Sequence, residues 1–146
     1  MNIDTALALE QAAVTPFDLS TLTVEKVQEG FRSGAFNSET LVRACLAQIA
    51  QYNSYYNAII FMNDEAIAVA RSIDQRRLAG EVLGPLAGVP VVVKDPMDMV
   101  GFPTTAGWSL LHSKTGGVDL MPERDSPVVA RMRAAGAVIL GKTNVP

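Results

Sequence analysis

The chain is poor in the residues that metal and disulfide chemistry depend on. It holds one cysteine, Cys45, and one histidine, His112, in 146 residues. A lone cysteine excludes an internal disulfide framework and any multi-cysteine metal site. A lone imidazole excludes sites that need two within the chain. Charge is scarce as well: 18% of residues are charged, against about 25% in an average soluble domain. Twelve Lys and Arg face 15 Asp and Glu, for a net charge of −3. No basic excess exists to neutralise a phosphate backbone, which argues against a nucleic-acid partner. Long apolar runs are missing too. Stretches such as 89–93 and 137–140 fall far short of the ~20 residues of a membrane-spanning helix. Residues 1–14 carry Asp4 and Glu10 and no basic start, unlike a secretory signal peptide. These absences point to a cytoplasmic protein with no membrane contact, and no metal or organic cofactor is expected.

What is present is apolar. Hydrophobic residues make up 49% of the chain, which excludes intrinsic disorder and implies apolar surface that something else must cover. The two halves differ. Residues 1–79 hold two of the 11 glycines and one of the eight prolines, and they read as helices. Thr23 to Ser33 predicts one helix, ended by Gly34. Asn37 and Ser38 are cap candidates for a second, with Glu39 in its first turn. Leu41, Val42, Cys45, Leu46 and Ile49 give that helix one apolar stripe. Asn63 is the cap candidate of a third, with Ala66, Ile67, Ala70 and Ile73 buried and Arg71, Arg76 and Arg77 wet. Asp4 to Ala13 is read as a further helix.

Residues 80–146 turn to glycine, proline and β-branched residues. The run Val89-Pro90-Val91-Val92-Val93 predicts a strand buried on both faces, with Pro90 near its start. Residues 101–115 read as loop. Ser126-Pro127 is a helix start, a serine cap followed by proline in the first turn. Val128, Val129 and Met132 form the expected inner face, and Gly136 the left-handed stop. Residues 137–140 then predict a second buried strand. Strand, long loop, helix and strand favour two parallel strands joined by a crossover. Two strands do not make a stable covered sheet, so the expectation is the front part of a larger α/β domain.

Lys94 follows directly on the first apolar strand. Strand ends in α/β folds face the ligand crevice, and lysine acts as a general base when desolvation disfavours its ammonium form. Lys94 is therefore expected at a strand's C-terminal end, largely buried, beside the strand at 137–140 or one strand away. The bland alternative is that it marks where the strand meets water. Residues 136–143 match Gly-x-x-x-x-Gly-Lys-Thr, the phosphate-cradling P-loop pattern. Its four middle residues are themselves a strand, a helix precedes rather than follows, and Pro146 disfavours helix at Val145. The P-loop reading is rejected. The small-residue loop with Thr105 and Trp108 either lines a substrate pocket or covers a core edge. His112 is expected in solvent, since no Gly-x-Ser-x-Gly elbow supports a Ser-His-Asp triad. Cys45 is expected to pack in the core.

The second half resembles the amidase signature family. The resemblance rests on Gly84-Pro85-Leu86-Ala87-Gly88-Val89-Pro90-Val91-Val92-Val93-Lys94-Asp95, then Gly101 and Thr104-Thr105-Ala106-Gly107. It rests also on residues 126–144, which end Gly141-Lys142-Thr143-Asn144. Tyr55-Tyr56-Asn57-Ala58 agrees in style. The resemblance implies N-terminal helices followed by the first strands of a mixed sheet covered by helices on both faces. It implies hydrolysis of a carboxylic amide through a Ser–cis-Ser–Lys triad, with Lys94 as the matching lysine, an acyl-enzyme and backbone N–H groups holding the oxyanion. The family's serine-rich loop follows Gly-Lys-Thr-Asn, so one triad residue of three is expected in this chain. Trp108 stands where many members have serine.

The chain is thus expected to be the front part of a single domain over 1–146, helical over 1–79. Its expected substrate is a small amide, and a homo-oligomer is left open. The competing reading is an inactive fragment that serves only as a structural or interaction module.

Overall fold

The computed structural model describes residues 16–145; the helix expected at 4–13 lies outside the described residues. After a 3-10 turn at Leu19–Thr21, helix α1 spans Val24–Ser33. Thr23 accepts a hydrogen bond from the Lys26 amide, and Gly34 ends the helix in the left-handed region at φ 72°. Helix α2 spans Ser38–Tyr56. Asn37 caps it through the Thr40 amide at 2.8 Å. The next two free amides, of Ser38 and Glu39, donate to the Asp74 carboxylate at 2.9 Å each. That carboxylate comes from helix α3, Ala66–Leu78, so the start of one helix is capped by another.

Two expectations for α3 need correction. Asn63 does not occupy the cap position, which falls to Glu65 without a side-chain bond. The Asn63 side chain accepts from the Glu65 amide at 3.1 Å and donates to the Ile139 carbonyl at 2.7 Å. It ties the helix entrance to the sheet. Arg77 is not a wet residue. Its guanidinium donates to Asp74, Ser38 and the Ala87 carbonyl and lies 4.4 Å from the centre of the Phe31 ring. A guanidinium that finds carboxylate, carbonyl and aromatic face together is better held in a crevice than in water.

Three strands form the sheet, in the order β1-β3-β2: β1 at Ile59–Met62, β2 at Pro90–Lys94 and β3 at Val138–Thr143. β2 and β3 are parallel, joined through helix α4 at Pro127–Ala134, as the strand–helix–strand pattern requires. β1 is antiparallel to β3 and departs from the expectation of a first half that is helical throughout. Four apolar residues are too few to show a period. Pairing with β3 is what makes them a strand. β3 also runs beyond the expected 137–140. Gly141, Lys142 and Thr143 are strand residues, so the Gly-Lys-Thr segment has no loop to wrap around a phosphate.

Alternation along β3 builds a core on each face. Val138 and Leu140 pack with Val42, Ala66, Ala70 and Ile73 of α2 and α3. Ile139 packs the other way, with Val93, Met99 and Val129 under α4. Each fully buried Val, Leu, Ile or Met side chain among them stabilises by roughly 1.5–3 kcal/mol. A third cluster joins α1 and α2 to Val89. The chain is therefore α/β, with a mixed sheet covered by helices on both faces. Val128, expected on the inner face of α4, is 43% exposed, while Val129 is fully buried; an eight-residue helix packs with a narrow face. Among the described residues no helix is long and apolar enough to cross a membrane.

Gly136 ends α4 at φ +89°, and a Cβ there would meet the Ala87 Cα at 2.8 Å. Gly116 has a similar φ of +86° with nothing within 4 Å. Gly116→Ala should cost about 1 kcal/mol for the left-handed backbone alone. Gly136→Ala adds a backbone clash and should cost roughly 2–4 kcal/mol. Denaturant midpoints of the two variants compared with wild type check the difference; equal midpoints would contradict it.

Candidate active site

Parallel β2 and β3 send their C-terminal ends to the same edge of the sheet, and Lys94 stands opposite Thr143 in the register. This is the place where open α/β sheets present a crevice. Lys94 is the last residue of β2, next to β3, as expected. It is not buried: the residue is exposed, and its Nζ donates to the Asn144 carbonyl at 2.6 Å. The physical reason is strand alternation. Val93 points into the core under α4, so Val92, which is 42% exposed, and Lys94 share a face that no described element closes.

Directly beneath lies a set of polar groups that sequence spacing does not assemble. Asp95 is 0% exposed and pairs with the equally buried Lys142 at 3.4 Å. The Lys142 ammonium also donates to the Pro103 carbonyl at 2.6 Å and to Thr104 Oγ1 at 3.1 Å, which uses its three protons. Thr104 passes its own proton to Asp98 at 2.8 Å. Asp95 accepts from the Thr105 amide at 3.2 Å and the Thr105 hydroxyl at 2.8 Å. Burial pushes the Lys142 ammonium below its ordinary 10.5, and Asp95 pulls it back up. A buried ion pair of this kind adds little net stability, but removing one partner costs about 3–5 kcal/mol, because the other charge is left buried alone. The residues do carry one signal for it: a lysine closing an apolar strand run, once the P-loop is rejected, still needs a counter-ion.

Thr105 is therefore committed. Its hydroxyl is donated to Asp95 and accepts from the Gly107 amide at 3.1 Å. Trp108 follows through a tight turn, its amide donating to the Thr105 carbonyl at 2.8 Å. The turn uses Ala106 at φ 49° and Gly107 at φ 78°, and a left-handed alanine costs roughly 1–2 kcal/mol. Trp108 is 58% exposed, so among the described residues it covers no core edge. Asp95 thus ties Thr105, and the turn that leads to Trp108, to the end of β2 where Lys94 stands; of the three, Lys94 and Trp108 are exposed.

The other chemistry-bearing residues lie elsewhere. Cys45 is a packed thiol whose pKa burial raises to about 11. His112 is half-buried, not free in solvent. Its Nδ1 lies 2.8 Å from Asp119 Oδ1, and its ring meets the Phe61 ring edge-on. Ser113 donates to the same carboxylate at 2.7 Å. Serine and histidine share an acceptor instead of bonding each other, so no nucleophile–base pair is formed. A cleft of about 690 Å³ lies between α2 and α3, lined by Arg43, Ile49, Asn53, Asn63 and Arg71 among others. Neither Lys94, Thr105 nor Trp108 lines it, and the convergent strand ends carry more chemistry than this cleft. No group of three or more His, Cys, Asp or Glu among the described residues is placed to hold a metal.

Known proteins share both the sequence and the fold of this chain. Residues 40–146 match the family described as Amidase. A glutamyl-tRNA(Gln) amidotransferase component from Salinispora tropica is 40% identical over 129 residues, 88% of this chain and 25% of that protein. The native peptide amidase of Stenotrophomonas maltophilia superposes with a TM-score of 0.75 at 32% identity, covering 86% of this chain and 25% of its own. A bacterial aryl acylamidase, described as an amidase signature enzyme, gives 0.75 at 26% identity, again over 86% of this chain and 25% of its own. The chain spans about a quarter of the length of the curated relatives it matches.

The Asp119 carboxyl is held at about 2, below its ordinary 3.8, first by the Ser113 amide and then by His112 and the Ser113 hydroxyl. A lowered carboxylate pKa contributes stability above the unfolded value, and the contribution fades as pH falls from 3.8 towards 2. Asp119→Asn should lower the melting temperature slightly at neutral pH. It should also flatten the acid-induced loss in that window. Melting curves across the acid range test this, and an unchanged acid slope in the variant would rule the carboxylate out.

Proposed function

The chain belongs to the amidase family, and on that footing we propose that residues 1–146 form the front part of a single domain that hydrolyses a small carboxylic amide. The observation that carries the reading is Lys94 at the C-terminal end of β2 in a parallel pair, inside the family-matching segment. In this proposal Lys94 takes a proton from a bridging serine, which takes one from the nucleophilic serine. The serine Oγ then attacks the amide carbon. The C–N bond breaks, ammonia or amine leaves with a proton, and water hydrolyses the acyl-enzyme to carboxylate. Backbone N–H groups hold the oxyanion. Both serines would come from a loop after the Gly-Lys-Thr-Asn segment, and that loop would lie over the open face of β2. Trp108 stands beside the crevice as a wall for the substrate, with Thr105 fixing the turn that carries it.

A second reading draws on the name of the curated relatives, glutamyl-tRNA(Gln) amidotransferase; in it the amide nitrogen passes to a charged tRNA. The net charge of −3 gives this chain no basic excess toward that partner, and a separate subunit could supply the basic surface. Turnover of simple amides without tRNA favours the first reading. The proposed location is cytoplasmic.

In the enzyme that contains residues 1–146, Lys94→Ala should lower kcat by ~10²–10⁴-fold or more, the range for a positioned acid–base group. Lys94→Arg should not rescue it, since a guanidinium does not give up its proton. Steady-state hydrolysis of simple amides reads both variants; substantial turnover by the arginine variant would reduce Lys94 to a positioning charge. Residues 1–146 alone should be inert. Turnover by this segment that Lys94→Ala abolishes would show that no serine from outside it is needed.

A further inference from the structure

The Gly-Lys-Thr segment that mimics a phosphate loop leaves one residue unexplained by the proposed reaction, Lys142. It is 0% exposed and so does not itself reach the crevice surface. It is also more than a filler of the core, because a buried ammonium is retained only where partners compensate it. Its partners are Asp95, Pro103 and Thr104. Asp95 directly follows Lys94 in the chain. Alternation sends the two side chains to opposite sides, Asp95 inward and Lys94 out to the crevice. The Asp95 amide continues the ladder onto the Thr143 carbonyl at 3.0 Å, and its carboxylate grips Thr105 at 2.8 Å. One ion pair therefore joins β3, the residue after Lys94, and the start of the turn that carries Trp108.

We propose that Lys142 is a positioning residue. Acting through Asp95, it fixes the backbone at the end of β2 so that Lys94 projects into the crevice, and it fixes the Thr105–Trp108 turn beside it. This inference rests on the reading of Lys94 as the base. Lys142 itself neither gives nor takes a proton in the reaction. The lowered pKa that burial gives it agrees with a site closed to water.

The test uses the enzyme that contains residues 1–146 and four variants: Lys142→Met, Asp95→Asn, the two combined, and Lys94→Ala. Each single variant of the pair leaves one buried charge without its partner and should melt earlier. The double variant removes both charges and should recover most of the melting temperature. Asp95→Asn is isosteric and keeps an acceptor for Thr105, so it provides a folded variant if Lys142→Met does not fold. Misplacement of a reacting group by about 1 Å costs on the order of 10²-fold. The expected result is a kcat reduced by about that factor in Asp95→Asn and in the double variant, with KM changed much less. If kcat returns with the melting temperature in the double variant, the pair is structural only and the proposal is overturned. Full kcat in a folded Asp95→Asn overturns it equally. If Lys94→Ala keeps its activity, the reading of Lys94 as the base fails, and this inference fails with it for a different and identifiable reason.

Discussion

A charged pair in a sheet interior constrains everything around it, and here the pair is Lys142 with Asp95, both 0% exposed. An ammonium taken out of water needs acceptors for its three protons, and a carboxylate needs donors. The residues that supply them come from β3, from the end of β2 and from residues 103–105. Any shift of one segment would leave a buried polar group unpaired, at a cost of about 1–3 kcal/mol or more. The loop after β2 is therefore not free to wander, even though it contains a left-handed alanine. Its strain is carried because the network on either side over-determines it.

The same strand that holds Lys142 organises the rest. β3 has a neighbour on each edge and a helical layer on each face. Gly141 lets β1 come close: a Cβ there would stand 2.2 Å from the Phe61 carbonyl oxygen. Asn63 reaches from the entrance of α3 to the Ile139 carbonyl. Around this strand the helices are cross-linked by polar contacts as much as by packing, with Asp74 capping α2 and Arg77 filling the space between α1, α2 and the segment before β2. The site end of the sheet is accordingly tied to its neighbours by polar contacts. The opposite condition holds for Val92, Lys94 and Trp108, each of which is exposed. In a protein that spans about a quarter of its relatives' length, an open face beside the family's lysine is where further chain would pack under the proposed function.

Much of this is legible in the residues. Asn37 and Ser126 cap the helices that their spacing predicts. Gly34 and Gly136 sit at positive φ, as their positions at helix ends require. The strand–helix–strand unit has the parallel pairing that its order demands, and two sequence blocks carry the family. These features are local: a cap, a left-handed stop or a run of valines depends on neighbours a few residues away, so composition and spacing determine it.

What tertiary structure decided depends on partners far along the chain. Ile59–Met62 became a strand because β3 offered an edge. Arg77 became a half-buried clasp because Phe31, Ser38 and Ala87 meet around it. Lys94 kept to the strand end that its sequence assigns, yet its exposure followed from which segments close over β2. Lys142 carried a motif that pointed to phosphate, and only the fold could give it Asp95 and Thr104 instead. Sequence alone thus determined most of the elements, their order and the family. The pairing of buried charges and the burial of each site residue were set by contacts between distant segments, because Coulomb and desolvation energies depend on distance in space and not on separation along the chain.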